Sequence, residues 1–154
     1  MPDDALASSL LPEIPSAVPR TCHVRPSGEP VVIRLTADNG LRSVARMWLY
    51  RPGETPGDTP REQWDMTTGD DGTSVHVLDT PPAELRDNAL AWVILSCGML
   101  PTSDAGQIRV RVFQASNACP PEPPADYDRT GVPPCQGAIT LDRIDDGLMF
   151  RVLA

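Results

Sequence analysis

The longest apolar run of the chain opens the stretch Leu90–Gln114, LAWVILSCGMLPTSDAGQIRVRVFQ. Its first arm, Ala91–Ser96, is β-branched and aromatic with no polar alternation. That pattern suits a central strand covered on both faces, a short buried helix being the alternative. The second arm alternates. Ile108, Val110, Val112 and Gln114 point one way and Arg109, Arg111 and Phe113 the other, the period of a half-buried strand whose outer face is covered by arginine stems. Pro101 and Gly106 bracket a polar loop of ordinary length, so the stretch predicts a β-hairpin around which the rest is organised.

Upstream, Val31–Ala37 reads as a strand, and Asp38-Asn39-Gly40 supplies residues that tolerate positive φ, as a hairpin turn requires. Leu41–Tyr50 has two readings. A helix would align Leu41, Val44 and Trp48 in one stripe. A strand would turn Ala45, Met47 and Leu49 inward and Arg46, Trp48 and Tyr50 outward. The preceding turn and the aromatic content favour the strand. Pro52 ends it in either case. Gln63–Thr68 and Ser74–Asp79 are further short strands around the Gly69–Gly72 turn, and Pro81–Asn88 is a corner with one helical turn. Ala138–Asp142 and Leu148–Leu153 close the chain on either side of a turn at Asp145-Asp146-Gly147. Roughly eight short strands separated by turn signals predict an all-β fold, a single antiparallel β-sandwich.

Composition adds two proline-rich pieces to this picture. The 154 residues include 18 Pro and 11 Gly, and 5% are aromatic, which works against long helices. Residues 1–30 read as an extended arm without a core of its own, and 31–154 as the sandwich domain. Cys119–Cys135, CPPEPPADYDRTGVPPC, reads as an excursion of polyproline character. The net charge is −8, and all 13 basic residues are arginine. An acidic surface without a basic cluster argues against a nucleic-acid partner. The missing lysine removes Schiff-base chemistry and the phosphate-binding P-loop. No apolar run approaches the ~20 residues that cross a bilayer, and the first residues are acidic where an export signal would be basic. The expectation is a soluble chain with no membrane insertion.

The succession MWLY, a Pro/Gly loop, QWDM, a turn, SVHVL and ELRDNALAW resembles the strand order of immunoglobulin and fibronectin type III domains. It covers Val31 to Gln114 and is carried by Trp48, by Leu85 and Asp87 at the corner, and by Trp92 on the penultimate strand. The usual inter-sheet cysteine pair is not matched, since the second strand has no Cys. The resemblance implies an Ig-like architecture only, because such sandwiches serve adhesion, scaffolding, glycan binding and virion assembly alike.

Candidate chemistry is sparse. His23 and His76 are the two histidines, and neither stands in a GxSxG, HExxH or similar context. Cys22, Cys97, Cys119 and Cys135 form no CxxC, so no zinc site is expected. The expected disulfide is Cys119–Cys135, worth about 3 kcal/mol by chain entropy, against four reduced thiols in a reducing compartment. Cys97 reads as a small buried hydrophobe. Asp38, Asp70-Asp71 and Asp145-Asp146 lack calcium-loop spacing and serve as turn residues. Arg46, Trp48, Tyr50 and Trp64 are the candidate binding residues, an outward aromatic platform for a sugar or a protein, with the core as the other place for Trp48 and Trp64. Trp92 is assigned to the core. These features predict no catalytic residue, metal or cofactor. They predict a structural or accessory subunit of a larger assembly, either a phage or virus-like particle or a bacterial surface structure, in contact with other protein subunits or a second copy. The alternative is an exported, disulfide-stapled module, extracellular or periplasmic, that binds glycan or peptide.

Overall fold

The computed structural model describes residues 20–54, 57–136 and 140–153. Ten strands are formed among them: β1 Arg20–Val24, β2 Val31–Ala37, β3 Leu41–Tyr50, β4 Glu62–Thr67, β5 Thr73–Val77, β6 Ala89–Gly98, β7 Gly106–Gln114, β8 Asn117–Ala118, β9 Asp126–Arg129 and β10 Asp142–Val152. A single 3₁₀ turn, Pro82–Glu84, sits at the corner before β6. Two five-stranded sheets result. The first has the order β1-β10-β6-β3-β4, and the second β5-β2-β7-β8 with β9 also paired to β7. The pairing is antiparallel except between β1 and β10, which run parallel.

β6 is the middle strand of the first sheet and is buried along almost its whole length. Leu90, Trp92 and Ile94 face the core, while Ala91, Val93 and Leu95 join a separate apolar cluster. That explains the absence of alternation in its sequence. β7 keeps its period of two, with Ile108, Val110, Val112 and Gln114 buried. β3 is a strand, with Ala45, Met47 and Leu49 in the core and Trp48 and Tyr50 on the opposite side.

The predicted central hairpin does not form. β6 and β7 lie in different sheets, so the loop between them crosses the sandwich. The apolar faces of the two strands meet across the core instead of pairing edge to edge. Asp38-Asn39-Gly40 behaves the same way. Asn39 and Gly40 adopt φ of 57° and 74°, as the sequence demanded, but they carry the chain from β2 in one sheet to β3 in the other.

Two more expectations are corrected. Asp145-Asp146-Gly147 is no turn but the middle of the continuous β10. Asp145 is held by Arg143, and Asp146 by Arg20 and Tyr127, so both carboxylates are satisfied on a strand. Gly147 is needed for close packing, since a Cβ there would stand 2.5 Å from the Leu90 carbonyl oxygen. The 119–135 excursion is not outside the core either. It runs along β7, pairs through β9, and buries Ala125 and Val132.

β1 falls inside the stretch read as an arm. Its Cys22 and Val24 are fully buried, so that reading applies at most to residues 1–19, which lie outside the described residues together with part of the predicted strand at Ala138–Asp142.

Candidate contact surfaces

The four predicted binding residues divide between two faces. Arg46, Trp48 and Tyr50 stand on the outer side of the first sheet, as the strand reading requires. Arg46 makes a bidentate pair with Asp65 on β4, at 2.7 and 3.0 Å. Trp48 and Tyr50 are 5% and 1% exposed, buried with Ala91, Val93 and Leu95 and with Leu141 packed against them. No open aromatic platform is presented. Trp64 faces the other way, into the core, because it is in register with Met47 rather than Trp48.

Trp64 closes the gap between β4 and β5, where the two sheets come together. Its indole stacks on the His76 ring with centroids 4.1 Å apart and planes 11° from parallel. Glu62 lies behind, its carboxylate 3.8 Å from His76 Nε2. The Thr80 hydroxyl donates to Glu62 at 2.6 Å, and the Asp79 and Thr80 amides each donate at 2.9 Å. Burial pushes the Glu62 carboxyl up, but these bonds outweigh it and hold the carboxyl below its ordinary range. Burial lowers the His76 imidazole against the pull of Glu62. A neutral imidazole pressed against an indole is a packing element.

The cysteines pair differently from the expectation. The disulfide is Cys97–Cys135, with Cα atoms 4.8 Å apart, and Cys22 and Cys119 are free and buried. The path of the chain decides this. Cys119 is fixed beside one end of β7, its amide donating to the Val112 carbonyl. From there the proline-rich segment runs along β7 to the other end, where Cys135 donates to Gly98 at the end of β6. Cys97 is therefore the thiol that Cys135 meets, and it is half-buried rather than part of the core. The Cys22 thiol donates to the Cys119 carbonyl at 3.0 Å. Burial pushes both free thiols up, away from the reactive thiolate. Alkylation in denaturant without reductant is expected to label Cys22 and Cys119 and to leave one linked peptide containing Cys97 and Cys135. A peptide joining Cys119 to Cys135 overturns this pairing.

At the far edge of the second sheet, β5 is built in the opposite sense from the other strands. Ser74 and His76 turn inward, while Val75 and Val77 stand outward at 53% and 49% exposure. Among the described residues β5 pairs with β2 alone. Register places Val77 beside Val32 and Phe113, and Val75 beside Arg34, so the outer face continues across three strands. The Arg34 guanidinium lies 4.6 Å from the Phe113 ring centre. A polar cleft of about 480 Å³ opens elsewhere, next to β8, lined in part by His23, Arg25, Glu29, Gln114 and Glu122. Among the described residues no group of three or more His, Cys, Asp or Glu is placed to hold a metal ion. No helix there is long and apolar enough to cross a membrane.

Comparison with protein-family models, curated proteins and solved structures returns no match. The two exposed valines of β5, Val75 and Val77, were visible in the sequence only as alternate positions of SVHVL. Period alone shows that they share a face, but not that this face is the outer one. Tyr127, Asp146 and Arg20 were not paired in the sequence reading, because they come from three strands far apart in the chain. Tyr127 donates to Asp146 at 2.6 Å, and Arg20 forms an ion pair with the same carboxylate.

Proposed function

We propose that this chain is a non-catalytic contact module that joins a larger protein assembly through the β5 edge of its second sheet. The observation that carries the reading is β5 itself. TSVHV is a strand with one free edge among the described residues, two exposed valines, no proline and no charged side chain other than a histidine whose neutral form burial favours. Edge strands are ordinarily blunted by charge, proline or a covering segment, because open backbone groups recruit other strands. An edge left uncharged and apolar suits strand addition by another subunit or a second copy.

The finer likeness to immunoglobulin and fibronectin type III domains belongs to the same reading. Fully buried Trp92 and Leu85 and the corner at Asp87 support it. β7, which lies beside β2 in the second sheet, and the lack of a cysteine on β2 depart from it. The Cys97–Cys135 bridge supports a setting outside a reducing cytosol, and so favours a bacterial surface structure over a particle assembled inside a cell. It equally supports the second reading, an exported module that binds peptide along β5. A glycan platform at Trp48 and Tyr50 has no such support, since both rings are covered. Neither reading assigns a catalytic residue, cofactor or nucleic-acid partner.

The test is size-exclusion chromatography of native-source extracts, with the double variant Val75→Lys/Val77→Lys beside the wild type. The wild-type chain is expected to elute well above its 16.6 kDa, and the variant as a monomer with an unchanged thermal midpoint. Wild-type chain that elutes as free monomer sinks the assembly reading.

A further inference from the structure

We propose that the occupant of the β5 edge is an extended segment of a different protein, β-branched at its centre and carrying lysine or arginine at both ends. This deepens the reading of β5 as a contact edge and rests on it. The Leu78 amide donates to the Val31 carbonyl, and alternation along the ladder then turns the backbone groups of His76 and Ser74 toward β2 as well. Those of Val75 and Val77 face the open side. The strip they make is short. At its start the Thr73 amide donates to Asp71 and the Thr73 carbonyl accepts from Gly69, and at its end the Asp79 amide donates to Glu62. An added strand therefore pairs with Val75 and Val77, and its outward side chains lie beside theirs, which are about half exposed.

Charge decides what kind of strand fits. Exposed carboxylates bracket the strip, Asp70 and Asp71 in the turn before it and Asp79 after it. Among the described residues none of these is ion-paired with an arginine. Arg34, beside Val75 in register, leans away from the edge, its guanidinium 4.6 Å from the ring centre of Phe113 on β7. Arg111, next in the same row, is held by Asp126. The edge is thus apolar in the middle and negative at both ends, on a chain whose net charge is −8. Such an edge attracts a strand with cationic ends and repels one with anionic ends.

The same charges disfavour a second copy. Antiparallel pairing with Val75 opposite its own counterpart brings Asp71 toward Asp79 of the other copy. Shifting the register so that Val75 meets Val77 leaves the same two acids on a diagonal. Parallel pairing in register brings each acid beside itself. Like charges opposed across a ladder are destabilising, so every self-pairing of β5 carries a penalty that a basic partner turns into an attraction.

The experiment uses the purified full chain and a fluorescent peptide, Lys-Lys-Thr-Val-Thr-Val-Thr-Lys-Lys, read by anisotropy. A peptide with glutamate in place of lysine controls for charge, and an N-methylated lysine peptide controls for backbone pairing. The lysine peptide is expected to bind about tenfold tighter than the glutamate peptide. That advantage should vanish near 1 M salt, where charges are felt only within about 3 Å. N-methylation keeps the charge, removes ladder donors and should abolish binding. The variant Asp70→Asn/Asp71→Asn/Asp79→Asn keeps the acceptor that holds the Thr73 amide, and should bind both peptides alike with unchanged circular dichroism. Equal binding of both peptides by the wild type, lost on N-methylation, overturns the basic partner but leaves β5 a contact edge. Undiminished binding after N-methylation, or no binding of either peptide, overturns the proposal together with the edge reading. In sedimentation velocity the purified chain alone is expected to stay monomeric. A dimer that Val75→Lys/Val77→Lys dissolves assigns the edge to a second copy, which keeps the edge reading and overturns this proposal.

Discussion

Trp92→Ala is expected to cost the fold about 3–5 kcal/mol, the range for deleting a large buried aromatic side chain. Trp92 is fully buried on the middle strand of the first sheet, between Met47 on β3 and Asp146 on β10. The loss combines burial of the indole with a cavity that two rigid sheets cannot collapse into. A domain of this size has a total stability on the order of 5–15 kcal/mol, so the variant falls toward the margin of folding at ambient temperature. Urea denaturation followed by circular dichroism measures it. A loss below about 1 kcal/mol would place Trp92 outside the core. Trp48→Ala under the same conditions gives a useful contrast, since its surroundings are the second cluster rather than the inter-sheet core.

Asp146→Ala is expected to cost about 3 kcal/mol, because it leaves two partners unsatisfied at a half-buried site. The carboxylate accepts from Tyr127 Oη at 2.6 Å and pairs with Arg20, and the Arg20 guanidinium also lies 5.5 Å from the Tyr127 ring centre. The side chains of Arg20 and Asp146 are 16% and 18% exposed, so water relieves little of the loss. Tyr127→Phe removes one hydrogen bond and should cost about 1 kcal/mol. A double-mutant cycle with Asp146→Ala should then show positive coupling. Additive losses would mean that the two side chains act separately.

The same site sets an alkaline limit. Burial first, and then the neighbouring Asp146 carboxylate, raise the Tyr127 phenol above its ordinary value. A raised value means that the folded state holds the proton more tightly than the unfolded one. The stabilisation is therefore complete below about pH 10, where a free tyrosine ionises, and is lost as pH climbs beyond it. Thermal midpoints should fall steeply above pH 10 in the wild type and less so in Tyr127→Phe.

Much of the local structure was legible in the sequence, and most of the long-range arrangement was not. The faces of β3 and β7, the double burial of β6 and the single turn at Pro82–Glu84 follow from side-chain period and turn chemistry. Those signals are short-ranged. They report whether a residue lies in or out, and the backbone angles a turn requires, but not which sheet the next strand joins. Asp38-Asn39-Gly40 and the loop before Gly106 both turn the chain as expected, and both cross between sheets. Asp145-Asp146-Gly147 has the composition of a turn, yet its acids are held by Arg143, Arg20 and Tyr127. Cysteine pairing was equally out of reach, since flanking prolines say that the chain is extended and not where it leads. The split of Trp48 from Trp64 needed the β3–β4 register, which no spacing within either strand encodes.

The parallel pair at the edge of the first sheet has a mechanical consequence. Five consecutive residues of β1 are matched with five of β10, from Arg20 beside Leu148 to Val24 beside Val152. Tension applied before Arg20 and after Val152 pulls these strands along their length in opposite directions. The evenly spaced bonds of a parallel ladder then share the load in shear and do not open one after another like a zipper. A chain pulled by its ends should resist extension more strongly than one pulled across β4 and β5, where the load would peel a single edge.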